Sequence, residues 1–315
     1  MGTAELACPS LQALAANDHY QVVQVVTQPD RPQGRDLKLR PPPIKLIALD
    51  LGLEVFQPEK VRRDEALQTM ASKQPDLIVI AAYGQILPQT LLDLPRWGCL
   101  NVHASLLPKH RGAAPIQWAI LNEDPETGVT IMRVDAGLDT GDILTMEKTA
   151  ILDSDNAQTL HDRLALMGSR LLLQTIPDYI SGVIQPHPQP ANQSSYARKI
   201  TKQDGLIDWK LSAHELWNRI RAFAPWPGAF SFIDGLTPSM LKIWEAIPVD
   251  APTRPPGEIL SADGSGILVA CGQQALKLLT IQREGKRRMS SAQFMAGNHL
   301  APGQRLTSST PAGRP

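Results

Sequence analysis

Cysteine, aromatic residues, long apolar runs and net charge are all in short supply in this chain of 315 residues. Its three cysteines, Cys8, Cys99 and Cys271, are odd in number and far apart, which excludes a disulfide framework and the paired spacing of a structural metal site. They are expected to be reduced and mostly buried, as in a cytoplasmic protein. No segment approaches the ~18 consecutive apolar residues of a membrane span, and no basic-then-apolar leader opens the chain. Neither GxGxxG nor GxxxxGK occurs, so dinucleotide and ATP binding by a glycine-rich turn are excluded.

What is present is ordinary globular composition, 43% hydrophobic and 20% charged, over a length that suits two domains. The 31 basic and 31 acidic residues cancel, but unevenly. Residues 1–190 hold 16 Lys and Arg against 22 Asp and Glu, whereas residues 191–315 hold 15 against 9. A basic half joined to an acidic half fits a second domain that meets a polyanion.

The first half alternates apolar strand-like runs (22–26, 77–82, 100–103, 129–134) with helical stretches (46–51, 64–73, 115–122, 155–180). That alternation predicts an α/β fold, a doubly wound, mostly parallel sheet, over residues 1–182. Ser154 or Asp155 is the expected N-cap of the long helix and Gly182 its stop. The Pro- and Gln-rich stretch 183–205 reads as a linker. Beyond it, Ser212 to Glu215 forms a capping box that opens a helix, and five short strand candidates between 229 and 282 predict a small β-barrel over 206–306. Residues 307–315 are expected to be a disordered tail.

Chemistry concentrates in Asn101-Val102-His103-Ala104-Ser105-Leu106-Leu107-Pro108. Side chains alternate along a strand, so Asn101 and His103 leave one face together, at the carboxyl end where open α/β sheets bind ligands. An amide donor and an imidazole at one spot suit acyl transfer: together they can hold an oxyanion and move a proton. Downstream, Asp139 lies between Gly137 and Gly141; taken alone it is a turn former. Asp135, Asp139 and Asp142 lack the spacing of a calcium loop, and no metal is expected. The loop from Arg31 to Pro43 carries Arg31, Arg35, Lys38 and Arg40 against one acid. It is too rich in Pro and Gly for helix or strand, and reads as a phosphate-contacting loop. Arg198, Lys199, Lys286 and Arg287 are candidates for a basic face on the second domain.

Together these segments resemble the methionyl-tRNA formyltransferase family over almost the whole chain. The resemblance rests on Thr27 to Pro32, Ala82 to Pro88, Asn101 to Pro108, Arg111 to Gln117, Gly128 to Met132, Gly137 to Asp142, Ile207 to Trp209 and Arg221 to Gly228. It implies a Rossmann-like formyltransferase domain with an OB-like C-terminal barrel, 10-formyltetrahydrofolate as donor, and methionyl initiator tRNA as acceptor. It also implies that Asn101, His103 and Asp139 are catalytic, with Asn101 and a His103 N–H sharing the oxyanion. Ser105, Leu106, Leu107, Pro108, Ile86, Leu87 and Asp135 would border the folate, and the basic loop would meet the tRNA acceptor end. A cytoplasmic monomer is expected. The family's opening apolar strand has no counterpart ahead of Gly2-Thr3, so the first strand of the sheet is expected to be missing. The rival readings are a formyltetrahydrofolate transferase acting on glycinamide ribonucleotide or an amino sugar, and an inactive RNA-binding relative.

Overall fold

Apolar runs become strands here only where a neighbour takes their backbone groups. The computed structural model describes residues 1–33, 38–234 and 239–308. The chain forms two compact units, Met1–Ile116 with Pro125–Ile151 and Thr159–Arg198, and Gln117–Asp124 with Leu152–Gln158 and Lys199–Pro315.

In the first unit Val25–Val26 (β1) pairs in parallel with Val55–Phe56 (β2). Ile78–Ile80 (β3) pairs in parallel with Cys99–His103 (β4). Glu126–Arg133 (β5) then lies antiparallel to β4, and Ile143–Ala150 (β6) antiparallel to β5. The sheet is therefore antiparallel beyond β4, where the sequence predicts a mostly parallel one. The chain between β4 and β5 stays at the carboxyl end of β4, so β5 re-enters from that end. Gly2 N–H donates to Val26 O (3.0 Å) and Ala81 N–H to Met1 O (3.0 Å), so Met1 and Gly2 bridge the β1–β2 and β3–β6 ladders.

The helices are Cys8–Ala15 (α1), Pro43–Asp50 (α2), Asp64–Ala71 (α3), Gln89–Leu92 (α4), Pro115–Leu121 (α5) and Ala157–Ile180 (α6). Pro43 suits the first turn of α2, where a missing N–H costs nothing. In α6, Leu160, Leu164, Leu172 and Ile176 recur at multiples of four and are buried. Its cap is Asn156, whose Oδ1 accepts from Gln158 N–H (2.9 Å), rather than Ser154 or Asp155; the Asp155 carboxylate instead accepts from Leu152 N–H (2.8 Å).

Two segments expected to be irregular are paired. Arg31–Gln33 and Lys38–Arg40 form an antiparallel ribbon with Pro32 opposite Leu39. Proline is tolerated there because the ribbon's outer edge needs no donor; Arg35, at 34–37, lies outside the described residues. The stretch 183–205, read as a linker, belongs to the first unit up to Arg198. His187 exchanges backbone hydrogen bonds with Ile143 (2.8 and 2.9 Å), and Tyr196–Ala197 pairs with Arg111–Gly112. Prolines keep this stretch extended, and its remaining amides complete open edges.

The second unit is an antiparallel sheet of Ala229–Ile233 (β7), Ser239–Val249 (β8), Ile259–Asp263 (β9), Gly266–Ala270 (β10), Ala275–Arg283 (β11) and Leu306–Thr307 (β12), in the order β9-β10-β11-β8-β7-β12. A bulge in β8 around Trp244 bends it, and the sheet curls until the bridge Glu258–Arg305 joins its two ends. Ala213–Ala222 (α7) lays Leu216 and Ile220 on Leu241, Ile243, Leu276 and Leu278. Thr307, placed in the tail from the sequence, is paired with Phe232; residues 309–315 lie outside the described residues. Among the described residues no helix is long and apolar enough to cross a membrane.

Ser212 caps α7 reciprocally: its Oγ accepts from Glu215 N–H (3.2 Å), and Glu215 accepts from Ser212 N–H (2.9 Å). Ser212→Ala is expected to destabilise the protein by about 1 kcal/mol, read as a lower denaturant midpoint at unchanged slope. An unshifted midpoint would contradict the cap.

Candidate active site

β4 ends where the sequence places the chemistry. Asn101 is half-buried and His103 buried, with their side chains on one face of the strand. The loop after β5 brings Asp139 to them. Asn101 Nδ2 donates to Asp139 Oδ1 (3.4 Å), and His103 Nδ1 stands 3.8 Å from Asp139 Oδ2. Gly112 N–H donates to the same Oδ2 at 2.9 Å. The three residues expected to be catalytic therefore converge.

The other side of the imidazole fixes its proton. Nε2 lies 3.0 Å from the His110 carbonyl, which only accepts, so a neutral His103 carries its hydrogen on Nε2 and its lone pair on Nδ1. That lone pair faces the Asp139 carboxylate across 3.8 Å, two acceptors with a place for a proton between them. The arrangement leaves Nδ1 open as a proton acceptor beside a carboxylate.

Asp139 adopts a left-handed backbone (φ +52) that few non-glycine residues accept. Its neighbours hold it there. A Cβ on Gly141 would collide with the Arg133 carbonyl, and one on Gly112 (φ +117) with that of Ala197, so both positions need close backbone approach. Gln189 completes the support: its Nε2 donates to Asp139 O (2.8 Å) and Gly141 O (2.7 Å), while Arg111 donates twice to its Oε1 (3.0 and 2.8 Å). Sequence reasoning missed Gln189, fifty residues away in a stretch read as linker. It missed His110 too, whose contribution is a carbonyl and leaves no side-chain signature.

The expected folate residues part company. Ser105, Leu107 and Pro108 are buried, and Leu106 is half-buried. Ser105 Oγ donates to Lys109 O (2.6 Å), Thr130 Oγ1 donates to Ser105 O (2.7 Å), and Leu107 N–H donates to Thr130 Oγ1 (3.1 Å). This turn shapes the strand end. Ile86 is exposed, Leu87 packs against the core, and Asp135 accepts from Thr140 Oγ1 (2.8 Å) and Gly137 N–H (3.1 Å). A cavity of about 290 Å³ adjoins the Asp139 loop, walled by Leu92, Cys99, Arg133, Val134, Asp135 and Asp142 among others. Of the expected folate residues only Asp135 lines it. Burial pushes the Cys99 thiol up to about 12, so Cys99 stays a neutral thiol at pH 7 and offers no thiolate nucleophile.

Arg31, Lys38, Arg40, Arg198, Lys199, Lys286 and Arg287 are all exposed. Arg31 and Arg40 are register partners across the ribbon, and Arg31 meets Glu59 at 3.1 Å. On the barrel, the Arg288 guanidinium lies 3.4 Å over the Trp244 ring, with Lys242 Nζ 5.3 Å from the same ring. No cluster able to hold a metal occurs among the described residues.

An amide, an imidazole and a carboxylate meet at the end of a sheet strand, a set of groups suited to acyl transfer, and comparison with known proteins gives the class of the chain. Residues 1–176 match the formyl transferase family model, and residues 199–299 match the formyl transferase C-terminal domain. The methionyl-tRNA formyltransferase of Geobacter metallireducens is 46% identical over 306 residues, 97% of each chain. That of Bacillus subtilis is 45% identical over 308 residues, 97% of this chain and 96% of the relative. The chain belongs to the methionyl-tRNA formyltransferase family. The solved structure of WlaRD, a sugar 3N-formyl transferase in the presence of dTDP and 5-N-formyl-THF, shares the fold at TM-score 0.63 and 21% identity, covering 91% of this chain and 97% of that one.

Because Gln189 touches the loop and not the reacting groups, Gln189→Ala is expected to lower kcat roughly tenfold through misplacement of Asp139. The acceptor KM and the unfolding temperature should hold. Loss of stability at unchanged kcat would assign Gln189 a purely structural part.

Proposed function

We propose that this chain transfers the formyl group of 10-formyltetrahydrofolate to the free α-amino group of methionine on initiator tRNA. The observation that carries the chemistry is the convergence of Asn101, His103 and Asp139 at the carboxyl end of β4. The choice of acceptor rests on the similarity to methionyl-tRNA formyltransferases and on the basic ribbon and barrel surface.

An aminoacyl α-amine has a pKa near ~8, so a usable neutral fraction is present at pH 7. Its nitrogen attacks the formyl carbon, and the carbonyl electrons move to oxygen. Asn101, whose NH2 spends one hydrogen on Asp139, has the second for that oxyanion. One such donor is worth ~3 kcal/mol. His103 Nδ1 takes the proton that the attacking nitrogen sheds, and Asp139 stabilises the imidazolium. The bond from carbon to N10 then breaks as the same proton passes to N10. The products are a formamide and tetrahydrofolate, with His103 neutral again. The resemblance alone implied a His103 N–H in the oxyanion hole; with Nε2–H donating to His110 O, the proton transfer at Nδ1 is the better-supported part.

The pteridine is proposed to lie against the loop from Asp135 to Asp139, with Ile86 and Leu87 beside it. The ribbon Arg31–Arg40 is the proposed contact with the acceptor-end phosphates, and the basic barrel face holds the rest of the tRNA. The chain is taken to act as a cytoplasmic monomer, in keeping with its free thiols.

Transfer assays on methionyl-tRNA test this reading. Asn101→Ala is expected to lower kcat by ~10²–10³ and His103→Ala by ~10²–10⁴, both with tRNA affinity intact. A fully active His103→Ala enzyme would overturn it. Arg31→Ala and Arg287→Ala should instead weaken tRNA binding, and each should reduce the slope of log affinity against log salt by about one. An unchanged slope would remove these residues from the interface.

A further inference from the structure

We propose that Ser195 is a positioning residue for the transfer reaction: it fixes the turn at residues 108–111, and through the His110 carbonyl it sets which nitrogen of His103 carries the proton. This role rests on His103 being the proton carrier.

The turn after β4 carries the contact that decides the His103 tautomer. His110 is buried and has a left-handed backbone (φ +60), a conformation that costs energy for any residue with a Cβ. Its carbonyl lies 3.0 Å from His103 Nε2. The peptide unit that holds this carbonyl also holds the Arg111 N–H, which donates to Ser195 O (2.9 Å). The preceding peptide unit holds the His110 N–H, which donates to Ser195 Oγ (2.8 Å). Ser195 N–H donates in turn to Pro108 O (3.3 Å). Peptide units are rigid planes, so tying both planes that flank the His110 Cα to one residue fixes φ and ψ between them. The direction of the His110 carbonyl follows. Ser195 itself is held because the next two residues, Tyr196 and Ala197, pair with Arg111 and Gly112.

Two of the three bonds come from the Ser195 backbone and survive any substitution; only the one from Oγ needs a hydroxyl. Without it the buried His110 N–H loses its acceptor, and the left-handed turn loses the contact that offsets its strain. The turn relieves both by rotating, which takes the carbonyl away from Nε2. The imidazole hydrogen then moves to Nδ1, where it can donate to Asp139 across the present 3.8 Å gap. That tautomer has no lone pair where the attacking amine must shed its proton. An imidazole in the wrong tautomer is a poor base even when its position is unchanged. Ser195 therefore acts on proton transfer and not on the binding of either substrate.

The test compares formyl transfer to methionyl-tRNA by the full chain carrying Ser195→Ala, Ser195→Thr, His103→Ala or the helix-cap change Ser212→Ala. Ser195→Ala is expected to lower kcat by about ten- to a hundredfold, with KM for methionyl-tRNA and for 10-formyltetrahydrofolate unchanged. The nitrogen NMR resonances of His103 should shift from the pattern of an Nε2–H tautomer towards that of Nδ1–H. Ser195→Thr keeps the hydroxyl and should restore both kcat and the parent resonances. Ser212→Ala loosens the second unit and should keep the parent kcat, which separates positioning from a general loss of stability. Parent kcat in Ser195→Ala, an unchanged His103 tautomer, or a threonine variant as slow as the alanine one would each overturn the proposal. An inactive His103→Ala beside a fully active Ser195→Ala removes the role of Ser195 alone. A fully active His103→Ala removes the proton-carrier reading and the role of Ser195 with it.

Discussion

The Asp139 carboxylate is the contact on which the site depends. One oxygen receives the Asn101 amide, and the other receives the Gly112 amide and faces His103. Three residues from two separate parts of the chain are registered by one side chain. Holding it there requires a left-handed backbone that costs on the order of 1 kcal/mol, offset by charge-assisted hydrogen bonds that are stronger than neutral ones. The Gln189–Arg111 pair, the close approach at Gly141 and the pairing of residues 196–197 with 111–112 all act to keep that loop in place. An arrangement of this kind presents its dipoles before substrate arrives, so little reorganisation remains for the chemical step.

The same logic explains why the Pro-rich stretch after α6 is ordered. A flexible connection would leave the Asp139 loop supported on one side only. Instead His187 completes the edge at Ile143 and Gln189 reaches the loop carbonyls. Proline serves this role because it fixes the backbone extended while leaving its carbonyl to accept. The charge distribution follows a second constraint: the acidic excess stays in residues 1–190, while basic side chains gather on the exposed ribbon and on the barrel, where a polyanion has access.

Much of this was legible in the residues. Strand alternation placed Asn101 and His103 on one face because a five-residue strand leaves no other choice. The capping box at Ser212 and the barrel strands followed from local rules that tertiary contacts did not override. Asp139 was not legible from its surroundings, since an aspartate between glycines is usually a turn, and only the family resemblance singled it out. Gln189 and the His110 carbonyl were invisible because their parts depend on contacts far apart in sequence or on backbone alone. The ribbon at Arg31 was read as a loop because its prolines argue against a central strand, whereas a two-stranded ribbon has outer edges on which proline is harmless. The direction of β5 also escaped, since periodicity identifies a strand but not the end from which it enters the sheet.

The central claim is that a charge at Asp139, and not merely a side chain of its shape, makes His103 the proton carrier. Single-turnover formyl transfer to methionyl-tRNA by Asp139→Asn tests it most directly, since the amide preserves size and can still accept from Gly112. The account predicts a rate lower by ~10²–10³ with tRNA and folate affinity unchanged. A rate within a few fold of the parent would contradict it.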